Sequence, residues 1–185
     1  MPLKLVKPSR ELLPSYIEAL REGDFNAMQL NFAKASADEI DADPEGWLAR
    51  VNDPSPFTYT MKNGRTFNVT EHELLWITDG SRFLGTVALR YKGDHELMNV
   101  YAGHVGMAIR PALLNQGYGP RAIRAAFNDL ATRARSHGLS YVYATCDPEN
   151  HASRRLIEHF GGVLEEKTED VFGQGPNLRY KIALE

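Results

Sequence analysis

The chain has one cysteine, Cys146, in 185 residues, which excludes an intrachain disulfide and any zinc site built on paired cysteines. No apolar stretch approaches the ~20 residues that span a bilayer, and the N-terminal MPLKLVKPSRELL holds no apolar run long enough for a secretory leader. A reducing, cytoplasmic location and no membrane partner are therefore expected. Neither sign of charge dominates. The net charge of -3 provides no basic excess to draw the chain to nucleic acid, and Arg133, Arg135, Arg154 and Arg155 read as solvated helix faces. Six histidines, at 72, 95, 104, 137, 151 and 159, form no HExxH or Cys/His cluster, so no metal is expected. There is no GxSxG for a nucleophilic serine, no GK[ST] of a Walker loop, no internal repeat and no low-complexity tract.

The remaining composition is that of a globular chain, with 43% hydrophobic and 24% charged residues and enough length for one core, so residues 1–185 are expected to form a single domain. PLKLV reads as a first strand. A helix follows in which Leu13, Ile17 and Leu20 recur at helical spacing and Pro14 confines the start. Ser36 and Glu39 are spaced as a capping box for one or two short helices over 36–50. Pro54, Pro56 and Gly64 mark a loop-rich stretch. HELLWIT and RFLGTVALRY then read as strands joined by a tight Asp79-Gly80 hairpin. After a loop over 92–103, HVGMAIRP is a strand with Val105, Met107 and Ile109 alternating. The best helix covers 121–135, with Ile123, Ala126, Phe127, Leu130 and Ala134 as its core stripe. Strand SYVYATC, helix NHASRRLIEHF, strand GGVLEEKTEDVF and a last strand with Leu178, Tyr180, Ile182 and Leu184 on one face complete a mixed α/β sheet with helices on both faces.

Between the HVGMAIRP strand and the best helix stands LLNQGYGPRA. Gly117 and Gly119 carry no Cβ to block an approaching ligand and tolerate positive φ, so successive amides can converge on an anion. Pro120 suits the first helical turn. A helix N-terminus carries partial positive charge, and Arg121 and Arg124 lie within a turn of it, which together make an opening suited to phosphate. The alternative is a plain strand-to-helix turn. Dinucleotide binding fits the G-x-G-x-x-A spacing but not its surroundings. PALLNQ separates glycines and strand, and SYVYATC lacks the acidic residue that would hold a ribose.

IRPALLNQGYGPRAIRAAF resembles the acyl-CoA pyrophosphate loop of the GNAT superfamily of N-acyltransferases, (R/Q)-x-x-G-x-(G/A), with Leu114 where the first basic or amide residue stands. CDPENHASRRLIEHFGGVLE is similar to a later motif of the same superfamily, in which an asparagine opens a helix and a glycine closes it. Over roughly 72–184 the chain looks like a subgroup of bacterial acetyltransferases with unassigned substrate. The resemblance implies a mixed, mostly antiparallel sheet of about six to seven strands. Residues 72–185 would form the sheet and acyl-CoA core, and 1–71 would supply acceptor-side helices and a loop. It implies acetyl-CoA as the acyl donor, bound through Ile109, Asn115, Gln116, Gly117, Tyr118, Gly119 and Asn150, to which Arg121 at the helix opening would add charge, and a small-molecule or peptide amine as acceptor. A homodimer is the superfamily's expectation. Asn150 also reads simply as a helix N-cap.

Acetyl transfer to an amine requires a neutral nucleophile, so a proton must leave an ammonium of pKa ~10.4. His104, at the start of the expected thioester strand, is the first candidate for the base, with a strand-end hydrogen bond as its alternative role, and Glu96 is the second. A backbone N–H near Ile109 would serve the oxyanion. Many superfamily members place a tyrosine acid seven residues after the asparagine. Here that position is Ile157, and Ser153 or water is the substitute considered. Asp38, Glu39, Asp41, Asp43 and Glu45 read as a solvated acidic segment or an attractor of cations. Trp47, Phe57, Tyr59 and Trp76 read as pocket or core. A non-catalytic acyl-CoA-binding or sensing module remains the alternative to an enzyme.

Overall fold

The capping box closes as read. Ser36 Oγ accepts the Glu39 N–H at 3.2 Å, and the Glu39 carboxylate accepts the Ser36 N–H at 2.7 Å. It opens helix α2 (Ala37–Ala42) in a computed structural model that describes residues 3–23, 33–61, 64–114, 118–168 and 175–184, without the side chains of 118, 119, 122, 123 and 125. Asp43 then caps α3 (Pro44–Asn52), its carboxylate accepting the Gly46 N–H at 2.9 Å, with Pro44 in the first turn where it lacks no needed donor. In α1 (Leu13–Glu22) Pro14 again lies in the first turn, while Leu13 and Ile17 are buried.

Eight strands follow one hydrogen-bonded order, β1-β3-β4-β5-β6-β8-β7, with β2 paired to β3. They are β1 (Lys4–Val6), β2 (Phe57–Thr60), β3 (Thr66–Thr78), β4 (Phe83–Gly93), β5 (Val105–Ile109), β6 (Tyr141–Cys146), β7 (Val163–Thr168) and β8 (Asn177–Ala183). Helix α4 (Tyr118–Ser136) links β5 to β6, and α5 (His151–His159) links β6 to β7. The sheet is mostly antiparallel. The β5–β6 pair is parallel, with Val105 opposite Ala144, as expected for strands joined through a helix.

Two stretches differ from the reading. The expected loop after Pro56 carries β2 and the start of β3, because the prolines precede FTYT rather than interrupt it. Phe57 and Tyr59 pack on Met61, Phe67, Val69 and Leu97. Between β3 and β4, Asp79–Gly80 does not form a two-residue turn. Residues 79–82 form a longer loop in which Asp79 Oδ1 accepts the N–H groups of Ser81 and Arg82, both at 2.9 Å, and Gly80 takes φ 98°. The 92–103 loop contains a π-helical turn, Leu97–Tyr101, that buries Leu97 and Met98.

By contacts the chain divides into two compact units. One comprises Met1–Ser55, Glu73–Leu89 and Met107–Leu130. Its core is an aromatic stack in which Tyr16 lies 5.1 Å from Trp47 and 4.8 Å from Trp76, with Phe83 edge-on. Rings this close leave no slot for a guest, so Trp47 and Trp76 are core. A Cβ on Gly85 would lie 2.5 Å from the Ala108 carbonyl oxygen, so the β4 and β5 backbones approach closely there. The other unit comprises Pro56–His72, Arg90–Gly106 and Ala131–Glu185. On one face of β6 and β8, Cys146, Leu178 and Tyr180 pack with Ile157 of α5. Among the described residues, no helix is long and apolar enough to cross a membrane and no cluster of His, Cys, Asp and Glu could hold a metal ion.

Candidate active site

The chain leaves β5 through Arg110, which is only 8% exposed. Its Nε donates to Glu22 Oε1 at 2.8 Å, its Nη2 donates to Glu18 Oε2 at 2.8 Å and also reaches Glu22 Oε1, and its Nη1 donates to Ser15 Oγ at 3.1 Å. The second oxygen of Glu22 accepts the Ala112 N–H at 3.1 Å. Arg110 holds the Glu22 carboxyl below its ordinary range. Ala112 lies in a short 3-10 turn, Pro111–Leu113. Leu113 and Leu114 give their N–H groups to the Arg110 and Pro111 carbonyls at 2.9 and 3.1 Å. Leu114 is 54% exposed. Asn115, Gln116 and Gly117, the centre of the expected loop, lie outside the described residues. Tyr118 and Gly119 are described only as the first two residues of α4. Arg121 is exposed one turn into that helix, and Ile109 is half-buried at the end of β5.

At the other end of β5 stands His104. The residue is 6% exposed. Its backbone N–H donates to the Tyr143 carbonyl at 2.8 Å, and its ring Nδ1 accepts the Tyr143 N–H at 3.0 Å. The ring thus stands in for a strand carbonyl as an acceptor for β6. With Nδ1 occupied as an acceptor, the neutral ring carries its proton on Nε2. Burial, and secondarily the Arg90 guanidinium, push the imidazolium down to about 4. A neutral ring whose lone pair is already engaged is a hydrogen-bonding strut and a donor at Nε2, which argues against His104 as the base. Arg90 is buried beside it, donating from Nε to the Gly103 carbonyl at 2.8 Å and from Nη2 to the Ala102 carbonyl at 2.9 Å. Gly103 holds φ 67°, and a Cβ there would lie 2.5 Å from the Tyr143 carbonyl oxygen, so no larger residue fits the bend into β5.

The other candidates are also committed. Glu96 accepts the Tyr101 hydroxyl at 2.8 Å on Oε1 and pairs with Arg65 through Oε2, while the Arg65 guanidinium lies over the Phe67 ring at 5.0 Å. Both carboxylate oxygens of Glu96 are thus engaged by neighbouring side chains. Asn150 caps α5, its Oδ1 accepting the Ser153 N–H at 3.0 Å. That cap is the simpler of the two roles read for it. Ser153 is half-buried in the first turn of α5. Ile157 packs on the sheet, and Tyr180 beside it donates its hydroxyl to Glu158 at 3.1 Å. Burial raises the Cys146 thiol, in keeping with an inert core residue.

The sequence reading missed Glu18, Glu22, Arg90 and Arg110. Burial of an arginine on a strand has no signature in a single sequence. The one available signal was the spacing of Glu18 and Glu22, which puts both carboxylates on one helix face.

Comparison with known proteins gives the context. A search of curated proteins finds no match. Among solved structures, a chimera of the Vibrio cholerae spermidine N-acetyltransferase SpeG with hSSAT is 16% identical over 100% of this chain and 97% of its own, with a TM-score of 0.59. The microcin C7 self-immunity acetyltransferase MccE, in complex with acetyl-CoA and AMP, is 14% identical over 98% of this chain and 92% of its own, with a TM-score of 0.61. The yncA protein of Salmonella typhimurium with acetyl-CoA is 16% identical over 100% of this chain and 95% of its own, with a TM-score of 0.56. At such identities the likeness is one of fold. The family model described as "Acetyltransferase (GNAT) domain" matches residues 3–163, and the chain therefore belongs to the GNAT acetyltransferase family.

Proposed function

We propose that this acetyltransferase moves an acetyl group from acetyl-CoA to a primary amine of a small molecule or peptide, by direct attack in a ternary complex, with residues 1–185 acting as one domain. The observation that carries the reading is the path from β5 to α4. A fixed 3-10 turn uses the N–H groups of Leu113 and Leu114 internally, and NQGYG then leads into a 19-residue helix. Amides for the diphosphate would begin at Asn115 and run through Gln116, Gly117 and Tyr118 to Gly119, with Arg121 adding charge. Leu114 departs from the family pattern, but a backbone-based site does not need its side chain. The backbone of β5 at Ile109 would hold the pantetheine arm. Asn150 would meet the arm with its amide NH2, since its Oδ1 caps α5.

Because His104 and Glu96 are committed elsewhere, the ammonium would lose its proton to water before attack, and water or Ser153 would meet the leaving thiolate. The neutral fraction of an amine with pKa ~10.4 rises about tenfold per pH unit below that value. Log kcat/KM should therefore climb with a slope near one from pH 6.5 to 9. A plateau near pH 7 would reveal a side-chain base and contradict this route. A cytoplasmic location and a homodimer belong to the same reading, and sedimentation decides the dimer.

The test is thiol release from acetyl-CoA with a panel of primary amines headed by spermidine, the substrate in one neighbour's name. Turnover with at least one amine supports the reading. Stoichiometric binding without turnover across the panel favours a sensing module. Thermal stabilisation by NAD and none by CoA would overturn it.

A further inference from the structure

We infer that Glu22 is a positioning residue for the acyl donor: through Arg110 and Ala112, its single carboxylate fixes the point where the chain leaves β5 for the glycine turn. This rests on the reading that residues 115–119 hold the donor's diphosphate. Oε1 receives Arg110, the residue just after β5, and Oε2 receives the N–H of Ala112, three residues before Asn115. Backbone donors at the start of such a turn must find acceptors outside it, and here the acceptor comes from the last residue of α1. A Cβ on the next residue, Gly23, would sit 3.6 Å from the Pro111 ring, so the end of α1 lies in contact range of the turn as well.

Glu18 makes the distinction testable. It sits one helical turn earlier, bonds the same guanidinium at 2.8 Å, and has a side chain 68% exposed. The Ala112 N–H goes to Glu22. Loss of either carboxylate weakens the hold on Arg110, but only loss of Glu22 releases the turn. A merely structural ion pair would lower stability without separating the KM for acetyl-CoA from the KM for the amine. A positioning role separates them, because a displacement of ~1 Å in groups that bind the donor is felt in binding and rate.

The experiment compares wild type, Glu22→Gln, Glu22→Asp and Glu18→Gln by steady-state kinetics with acetyl-CoA and one accepted amine, alongside calorimetric titration with CoA. Glu22→Gln is expected to raise the KM for acetyl-CoA and the Kd for CoA by about tenfold, equivalent to ~1.4 kcal/mol. The KM for the amine should stay within about twofold, the usual scatter for changes that touch no binding group. Glu22→Asp keeps the charge but is shorter by one methylene. It should show the same split if Glu22→Gln folds poorly. Glu18→Gln, which loses one bond to Arg110 and none to Ala112, should raise the acetyl-CoA KM by less than Glu22→Gln does. Equal donor KM values in wild type and both Glu22 variants would overturn the inference, as would an equal rise in Glu18→Gln. A wild-type protein that does not bind CoA would remove the underlying reading, and this inference with it.

Discussion

Two buried arginines mark the approach to β5 and the exit from it, and they are held in opposite ways. Arg110 is surrounded by Glu22, Glu18 and Ser15. Arg90 donates to the carbonyls of Ala102 and Gly103 and, among the described residues, bonds to no carboxylate. The electrostatic consequences diverge accordingly. The hydrogen bonds that Arg110 donates to Glu22 raise its affinity for its proton, whereas burial pushes Arg90 down to about 10. A compensated cation is a mechanical tie, and its partners can be placed to hold a turn. An uncompensated one costs desolvation but projects positive potential onto its surroundings, and here that potential helps to keep His104 neutral. The same residue type thus ties a turn to a helix at one end of the strand and, at the other, adds to the burial that keeps His104 neutral.

The largest effect should come from breaking the compensated end. Arg110→Met leaves the Glu22 carboxylate, whose side chain is 22% exposed, without its cation. The expected loss is ~3–5 kcal/mol of unfolding free energy, read by urea denaturation near pH 7. A loss under ~1 kcal/mol would show that the tie does not hold the fold.

Next in size is the pH dependence set at the other end. An imidazole takes up its proton near pH 6.5 when unfolded and near about 4 in the folded protein. Between those values the unfolded chain binds more protons, so stability is complete above pH 6.5 and falls as pH drops, by up to ~3 kcal/mol. Asparagine can keep an acceptor for the Tyr143 N–H without titrating. His104→Asn should therefore remove most of that slope while remaining folded at pH 7. An unchanged slope would show that other groups carry it.

The smallest effect sharpens the contrast. Arg90→Met removes the cation but not the burial, which is the larger cause of the His104 shift. The folded imidazolium should titrate somewhat higher, and the pH-dependent loss should shrink by ~1 kcal/mol or less, as followed by NMR titration of the ring. No movement of the His104 titration would detach the two residues from each other.

Sequence made the elements more legible than the site. Periodicity and caps located α1, α2, α4, α5 and the strands around β5, because spacing and local hydrogen bonding are written in neighbouring residues: Ser36 with Glu39, or Leu178, Tyr180 and Ile182 in alternation. It erred where punctuation residues flank an element rather than break it, as Pro54 and Pro56 do before β2, and where Asp79 builds a turn with its own side chain. In the site, Asn150 as a cap was readable because the motif is local. The roles of His104 and Arg110 were not, since their partners stand 39 and 88 residues away in sequence. The motif that carries the family resemblance contains Arg110 and Ala112 but not Glu22, which bonds to both from α1.

Binding of acetyl-CoA compared with S-acetylpantetheine, which lacks the diphosphate, tests the central claim most directly. Calorimetry should show saturable binding of acetyl-CoA, one per chain, and a loss of at least about a hundredfold in affinity, or ~2.7 kcal/mol, for the truncated donor. Equal affinity for the two, or no binding of either, would contradict the account.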